Sequence, residues 1–334
     1  MNFEILAPAG SMESLIAGVR SGANAIYLGG KSFNARRNAG NFDNEELKRA
    51  VEYCHSHGVK VYLTLNILVR DDEMENAYNT VRDALLCGVD AFIVQDIGVA
   101  KMIREHFQSA RLHGSTQMSI MTVNGAKAAK EMGFSRIVLP RGLFGIENEL
   151  KIRLEKLKKA GVNKALCGNI GSYTLCKDMG FEVYGDFGLN VFNSLSANQI
   201  DHPILSFELT QSQINNINAR DKGMIVYGYL PLMLSRNCPV KNDIGCFECD
   251  KHGKLTDRKG MEFPVMCSDF PCVEMLNCHP LYMLDRLDEV KTDFIHFYFS
   301  IESKKQVEKV IALYENRGKP DFKYTRGLYQ RGTL

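Results

Sequence analysis

Through about residue 140, short apolar runs rich in β-branched and aromatic residues alternate with stretches of helical periodicity. The unit recurs at roughly 25–30 residues, as βα modules do. Strands are expected at 3–7, 25–28, 59–66, 91–95, 111–115 and 136–139. Pro8-Ala9-Gly10 should break the first, and Ser11 can then cap a helix whose first turn holds Ser14 and Leu15. A second helix starts near 41–43, buries Leu47, Ala50, Val51 and Cys54, and stops at Gly58. A third fills 71–87 ahead of Gly88. The pattern predicts an α/β chain, a TIM-barrel-like parallel (β/α) barrel with a cysteine-rich C-terminal extension.

Further strand candidates at 164–167, 182–184, 204–208 and 224–227 raise the total to ten, two more than such a barrel needs. Residues 112–141 and 183–208 share one plan of strand, polar loop, short helix and strand, which reads as an internal repeat. The strand count stays open, with one strand an edge or an extension. The expected domains are a barrel over 1–235 and a cluster-binding α/β extension over 236–334. In the latter, 280–290 reads as helix, 294–300 as strand and 303–315 as helix. The tail, with Tyr324, Arg326, Tyr329 and Arg331, is expected to be solvated, as termini usually are.

Polar residues collect just past the predicted strand ends: Asn34 and Arg36, Asn66, Asp96, His113 and Gln117, Arg141. In a barrel those ends form the active face. The 41 basic and 39 acidic residues nearly cancel, so no polyelectrolyte partner is demanded, although a local basic groove would not show in a net count. The start lacks the pattern of a signal peptide, and no apolar run reaches the ~18 residues of a membrane span. A cytoplasmic protein with reduced thiols is expected.

The other dense feature is the stretch 238–278, which carries Cys238, Cys246, Cys249, Cys267, Cys272 and Cys278 of the chain's ten cysteines. Thiolates at such spacing point to a soft metal or an iron–sulfur cluster rather than disulfides. Spacing alone leaves an iron–sulfur cluster, a zinc ion and no metal open, in that order. Cys54 and Cys87 read as ordinary buried thiols, and Cys167 and Cys176 as reserve ligands. No GxSxG elbow, HExxH, phosphate loop or GxGxxG is present. Asp257 and Arg258 read equally as a pair that shapes the cysteine segment or as surface charges.

The strings EILAPAGSMESLIAGVRSGANAIYLGG and FNARRNAGNF, with VYGDFGLNVFNS, YGYLPLMLSRNCPV, DRKGMEFPV and YTRGLYQRG further on, resemble the collagenase-like peptidase family U32. One departure is KALCGNIGSYTLC, which stands where that family's usual cysteine-bearing strand is expected. The resemblance implies a four-iron, four-sulfur cluster, with Cys238, Cys246, Cys249 and Cys272 as ligands and Cys267 the alternate for the fourth place. It also implies oxygen-independent hydroxylation of RNA or of a small aromatic acceptor such as a quinone precursor. On that basis Asn34, Arg36, Asn66, His113, Gln117 and Arg141 would hold the acceptor and a carboxylate oxygen donor, with Arg36 the best fork for a carboxylate or phosphate. Two alternatives remain: a peptidase, as the family name says, and a non-catalytic module stapled by zinc that serves a partner protein. The peptidase alternative lacks a Ser/His/Asp set, and His113, His202, His279 and His296 have no motif around them.

Overall fold

The computed structural model describes residues 4–35, 41–120, 122–137, 147–235, 237–245, 252–267 and 272–331. Two compact units are present: residues 1–206 with 217–222, and residues 207–216 with 223–334.

In the first unit, β1 (Leu6–Ala9), β2 (Ala25–Gly29), β3 (Lys60–Leu65), β4 (Ala91–Val94), β5 (Leu112–Gly114) and β6 (Phe134–Ile137) form a parallel sheet in sequence order. The intervening helices are α1 (Met12–Arg20), α2 (Asn44–Ser56), α3 (Met74–Leu86), α4 (Ile97–His106) and α5 (Val123–Glu131). Local chemistry sets their starts. Ser11 and Ser14 form a capping box on α1, and Asp43 and Glu46 form one on α2. Leu47, Ala50, Val51 and Cys54 are the buried face of α2, as the periodicity predicts. Sequential parallel strands joined by right-handed crossovers put every helix on one side of the sheet. The other side gathers Leu6, Ala25, Tyr27, Tyr62, Ala91 and Ile93, alternate residues of their strands.

The sheet is curled. Five strand spacings would hold β1 and β6 ~24 Å apart in a flat sheet, yet the Arg136 guanidinium on β6 pairs with the Glu4 carboxylate just ahead of β1. The Tyr62 hydroxyl on β3 donates to the same carboxylate at 2.9 Å. Strand β1 also runs through Pro8 to Ala9 rather than breaking there. It is an edge of this sheet, where a missing N–H is tolerated.

The unit continues through α6 (Glu147–Lys159), β7 (Lys164–Cys167), α7 (Ile170–Asp178), β8 (Glu182–Gly185) and α8 (Ser194–Ala197). The surplus in the strand count now resolves. Residues 204–208 are not a strand: Pro203 makes an isolated bridge to Gly185, and Ile204 and Leu205 are buried as coil. The candidate at 224–227 lies in the second unit. Among the described residues eight strands remain in the first unit, divided six and two, because β7 pairs with β8 in a sheet of their own. Closure of all eight into one barrel is not seen among the described residues.

The internal repeat is visible in the backbone. Gly114 and Gly185 end their strands, and Ser115 and Asp186 cap the 3₁₀ turns Thr116–Met118 and Phe187–Leu189. Ser119 and Asn190 then take left-handed φ of 51° and 54°, and Thr122 and Asn193 cap α5 and α8. Helix α4 packs on α8, and α5 on α7. A Cβ on Gly98, second in α4, would lie 2.2 Å from Asn193 Oδ1; one on Gly171, second in α7, would lie 2.1 Å from Thr122 Oγ1. Exchanging β4–α4–β5–α5 with β7–α7–β8–α8 exchanges the two contacts, which is a pseudo-two-fold relation.

The second unit begins with α9 (Gln211–Asn216) and β9 (Gly223–Gly228) and continues with β10 (Pro231–Ser235), α10 (Pro239–Ile244), β11 (His252–Thr256), β12 (Glu262–Cys267) and β13 (Val273–Leu276). After β14 (Leu281–Tyr282) and a 3₁₀ segment Leu284–Glu289, where an α-helix was expected, come β15 (Phe294–Tyr298) and α11 (Lys304–Asn316). Strands β10, β13, β12 and β11 form an antiparallel sheet in that order, and β9 lies between β14 and β15 in another. Asp257 accepts the amides of Lys259 and Met261 and so closes the β11–β12 turn. The tail is docked, not loose. Arg326 forms a two-pronged bond to Asp285 at 2.6 and 2.8 Å, and the buried Tyr329 hydroxyl donates to the Ile225 carbonyl.

Candidate functional site

At the C-terminal ends of β1 to β5 lies a cavity of about 220 Å³. Its polar lining is Asn34, Asn41, Thr64, Asn66, Ser115 and Thr116, and its apolar lining includes Leu6, Tyr27, Leu28 and Ile93. No Asp, Glu, Lys, Arg, His or Cys is among its described lining residues.

The carboxamides are held in place. Asn34 is buried and donates through Nδ2 to Asn41 Oδ1 at 2.7 Å and to the Gly30 carbonyl at 3.3 Å. It can approach because Gly29 has no Cβ; one there would lie 2.2 Å from Asn34 Nδ2. Asn66 accepts the amide of Ala35 at 3.2 Å, and the Thr64 hydroxyl donates to the Leu28 carbonyl. The floor is the Ala25, Tyr62, Ala91 and Ile93 layer, and below it lies the Glu4–Tyr62–Arg136 network.

The six expected substrate-binding residues divide. Asn34 and Asn66 line the cavity. Gln117 is exposed on the 3₁₀ turn outside the lining, while its neighbours Ser115 and Thr116 are inside it. His113 points into the sheet interior instead, its ring edge-on to Tyr62 at 4.7 Å. Burial, with Arg136 adding to it, lowers its pKa to about 4, so it stays neutral near pH 7. Arg36 and Arg141 lie outside the described residues. Sequence reasoning misses Asn41, Thr64, Ser115 and Thr116. The strand-end rule covers Ser115 and Thr116, but nothing local marks Asn41, which only loop closure onto Asn34 brings to the cavity.

Of the expected metal ligands, Cys246 and Cys249 lie outside the described residues. Cys238 caps α10, its sulfur accepting the Lys241 amide at 3.4 Å, and packs against Val240, Val265, Val273 and Met275. The register pairs Val273 with both Ser235 and Cys267. Cys238 just past β10, Cys267 closing β12 and Cys272 just ahead of β13 therefore come to one end of the sheet. Strand β11 starts at the same end, His252 opposite Met266. Cys278 follows β13 at the other end, bonded to Asn277. Among the described residues no three His, Cys, Asp or Glu side chains stand close enough to hold a metal ion. The donor chemistry and topology fit a thiolate-bound group, with the described thiols short of a complete set. The reserve pair Cys167 and Cys176 is buried in the first unit, the two sulfurs sharing a hydrogen bond.

Residues 10–149 match the family described as Peptidase family U32. Over 140 residues the chain is 39% identical to the 23S rRNA 5-hydroxycytidine C2501 synthase of Escherichia coli (strain K12), covering 42% of this chain and 21% of that one. It is 32% identical over 165 residues to tRNA hydroxylation protein P1 of Bacillus subtilis (strain 168), covering 49% and 39%. It is 38% identical over 120 residues to a collagenase of Porphyromonas gingivalis (strain ATCC BAA-308 / W83), covering 36% and 28%. The matched part spans between about a fifth and two fifths of these relatives' length.

Proposed function

We propose, for a chain whose residues 10–149 match peptidase family U32, that it is an enzyme of RNA hydroxylation acting in the cytoplasm. The cavity at the ends of β1 to β5 would receive an unpaired nucleobase. The observation that carries this reading is the uncharged lining among the described residues. Carboxamides and hydroxyls each offer donors and acceptors to the edge of a neutral heterocycle. Relatives named for rRNA and tRNA hydroxylation support it. The curled six-stranded sheet is taken as the barrel wall and the cavity as its mouth. No helix among the described residues is long and apolar enough to cross a membrane, in keeping with an RNA substrate.

The same proposal assigns Cys238, Cys246, Cys249 and Cys272 to an iron–sulfur cluster, with Cys267 as alternate and zinc as the alternative metal. When bound, such a cluster would supply electron transfer or an anchor for the oxygen-bearing group. This chain's part is to hold the acceptor. Asn34 and Asn66 orient it, Tyr27, Leu28 and Ile93 exclude water, and Arg36 is assigned to a carboxylate donor. A small aromatic acceptor such as a quinone precursor suits the apolar part of the lining but leaves the three carboxamides without a role.

A peptidase reading draws on the collagenase relative. The described cavity lining offers it neither a histidine nor a cysteine, and Ser115 there caps a turn.

RNA from cells with and without the protein, digested to nucleosides and analysed by mass spectrometry, tests the function; identical profiles would overturn it. Anaerobically purified protein should carry about four irons per chain. Cys246→Ser should remove them, and unchanged iron would refute the ligand assignment.

A further inference from the structure

We infer that the internal repeat is a positioning element for the cavity, in which Asn193 of the second copy and Asp96 of the first fix the segment that carries Asn66. The inference rests on the cavity being the substrate site. Asn66 follows β3, and three residues on, Val69 meets the repeat with both its backbone groups: its amide donates to Asp96 Oδ2 at 3.1 Å, and its carbonyl accepts Asn193 Nδ2 at 2.8 Å. The same Asn193 Nδ2 donates to Asp96 Oδ2 at 2.8 Å. Asp71 is tied in turn to the amide and hydroxyl of Ser194. The loop after β3 is thus held at two points by residues more than 120 positions away.

The clamp is rigid for physical reasons. Asp96 and Asn193 are fully buried, so no water competes for their bonds. Asp96 also accepts the amides of Gly98 and Val99 at the start of α4, and Asn193 Oδ1 accepts the Ser196 amide at the start of α8. Each side chain is fixed by the helix it caps. Rotation of either would leave a buried polar group unsatisfied.

The repeat supplies a matched control. Thr122 stands where Asn193 does in the other copy, and it caps α5 against Gly171 of α7 through the Gly125 amide, with no hydrogen bond to the loop after β3 among the described residues. Asn193→Ser keeps an N-cap oxygen on α8 but is too short to reach Val69 and Asp96, whereas Thr122→Ala removes a cap and leaves the clamp intact.

Hydrogen exchange of the purified protein should show segment 66–71 opening at least tenfold faster in Asn193→Ser and unchanged in Thr122→Ala. Cells carrying Asn193→Ser should show at least a fivefold lower content of the hydroxylated nucleoside, with Thr122→Ala near the parent level. If Asn193→Ser fails to fold, Ser194→Ala, at a half-buried position, should loosen the same segment by a smaller factor. Equal exchange in the Asn193 and Thr122 variants, or no change in either, would overturn the inference. A parent protein without effect on any RNA nucleoside would overturn the proposed function instead, and the exchange result would be unaffected.

Discussion

Arg136, on the last strand of the six-stranded sheet, pairs with Glu4, just ahead of the first. Two residues at opposite edges of a sheet can meet only if the sheet bends into a trough, so this pair reports its curvature directly. Tyr62 and Lys60 of β3, between those edges, converge on the same carboxylate. The network closes the trough at the end away from the cavity.

Glu4 gives the pair a pH signature. The hydrogen bond from Arg136 lowers its pKa to about 2. Because the folded value lies below the ordinary one, the contribution is complete above about pH 4.5 and is lost as pH falls toward 2. Glu4→Gln should cost about 1–2 kcal/mol at pH 7, allowing for solvent screening, and only a small part of that at pH 2. Urea midpoints at the two values check this; an equal deficit at both would contradict it.

His113 acts in a higher window. Its folded pKa of about 4 lies below the ordinary 6.5, so the unfolded chain takes up the proton first. Stability should decline as pH falls from 6.5 toward 4, before Glu4 titrates. His113→Phe keeps a ring against Tyr62 and should flatten that part of the curve, at a cost of less than about 1.5 kcal/mol at pH 7. A slope identical to the parent's would show that another group titrates there.

Gly29→Ala should disable the cavity without unfolding the protein. The added methyl would occupy the place of Asn34 Nδ2 and break its bond to Asn41. At least a tenfold loss of the proposed modification is expected, equivalent to about 1.4 kcal/mol. Asn34→Ala should have a similar effect, and the double variant should be no worse than either, since both act on one contact. Additive losses would place the effect elsewhere.

Arg326→Met tests the docked tail. The Arg326 and Asp285 side chains are only 16% and 13% exposed, and the arginine also donates to the Tyr282 carbonyl. Removing one partner of such a pair leaves a charge poorly solvated, so a loss of about 2–4 kcal/mol is expected. Thermal unfolding that shifts by less than a degree would show that the tail is dispensable.

Much of this architecture is legible in the residues. Periodicity two and 3.6 locate β2 to β5 and α2, and side-chain capping at Ser11 and Asp43 locates helix starts. Legibility fails where a tertiary partner decides. Residues 204–208 have strand composition, yet only 204–206 are buried, after a single bridge from Pro203 to Gly185, and β9 resembles the strands before it while pairing with β14 and β15. His113 faces the same side of the sheet as the cavity-lining Ile93 but packs on Tyr62 of the floor, so the strand-end rule selects it while its depth keeps it out of the lining. The tail reads as polar because Arg326 is charged, and only the position of Asp285 reveals that the charge is matched.

The uncharged cavity lining carries a consequence for competition inside a cell. Free nucleotides are abundant there, and a pocket that gripped phosphate would be occupied by them most of the time. The described lining of carboxamides, hydroxyls and apolar side chains offers their phosphates no charged partner. On the proposed reading, a base held by these groups would owe its residence mainly to the polymer it belongs to.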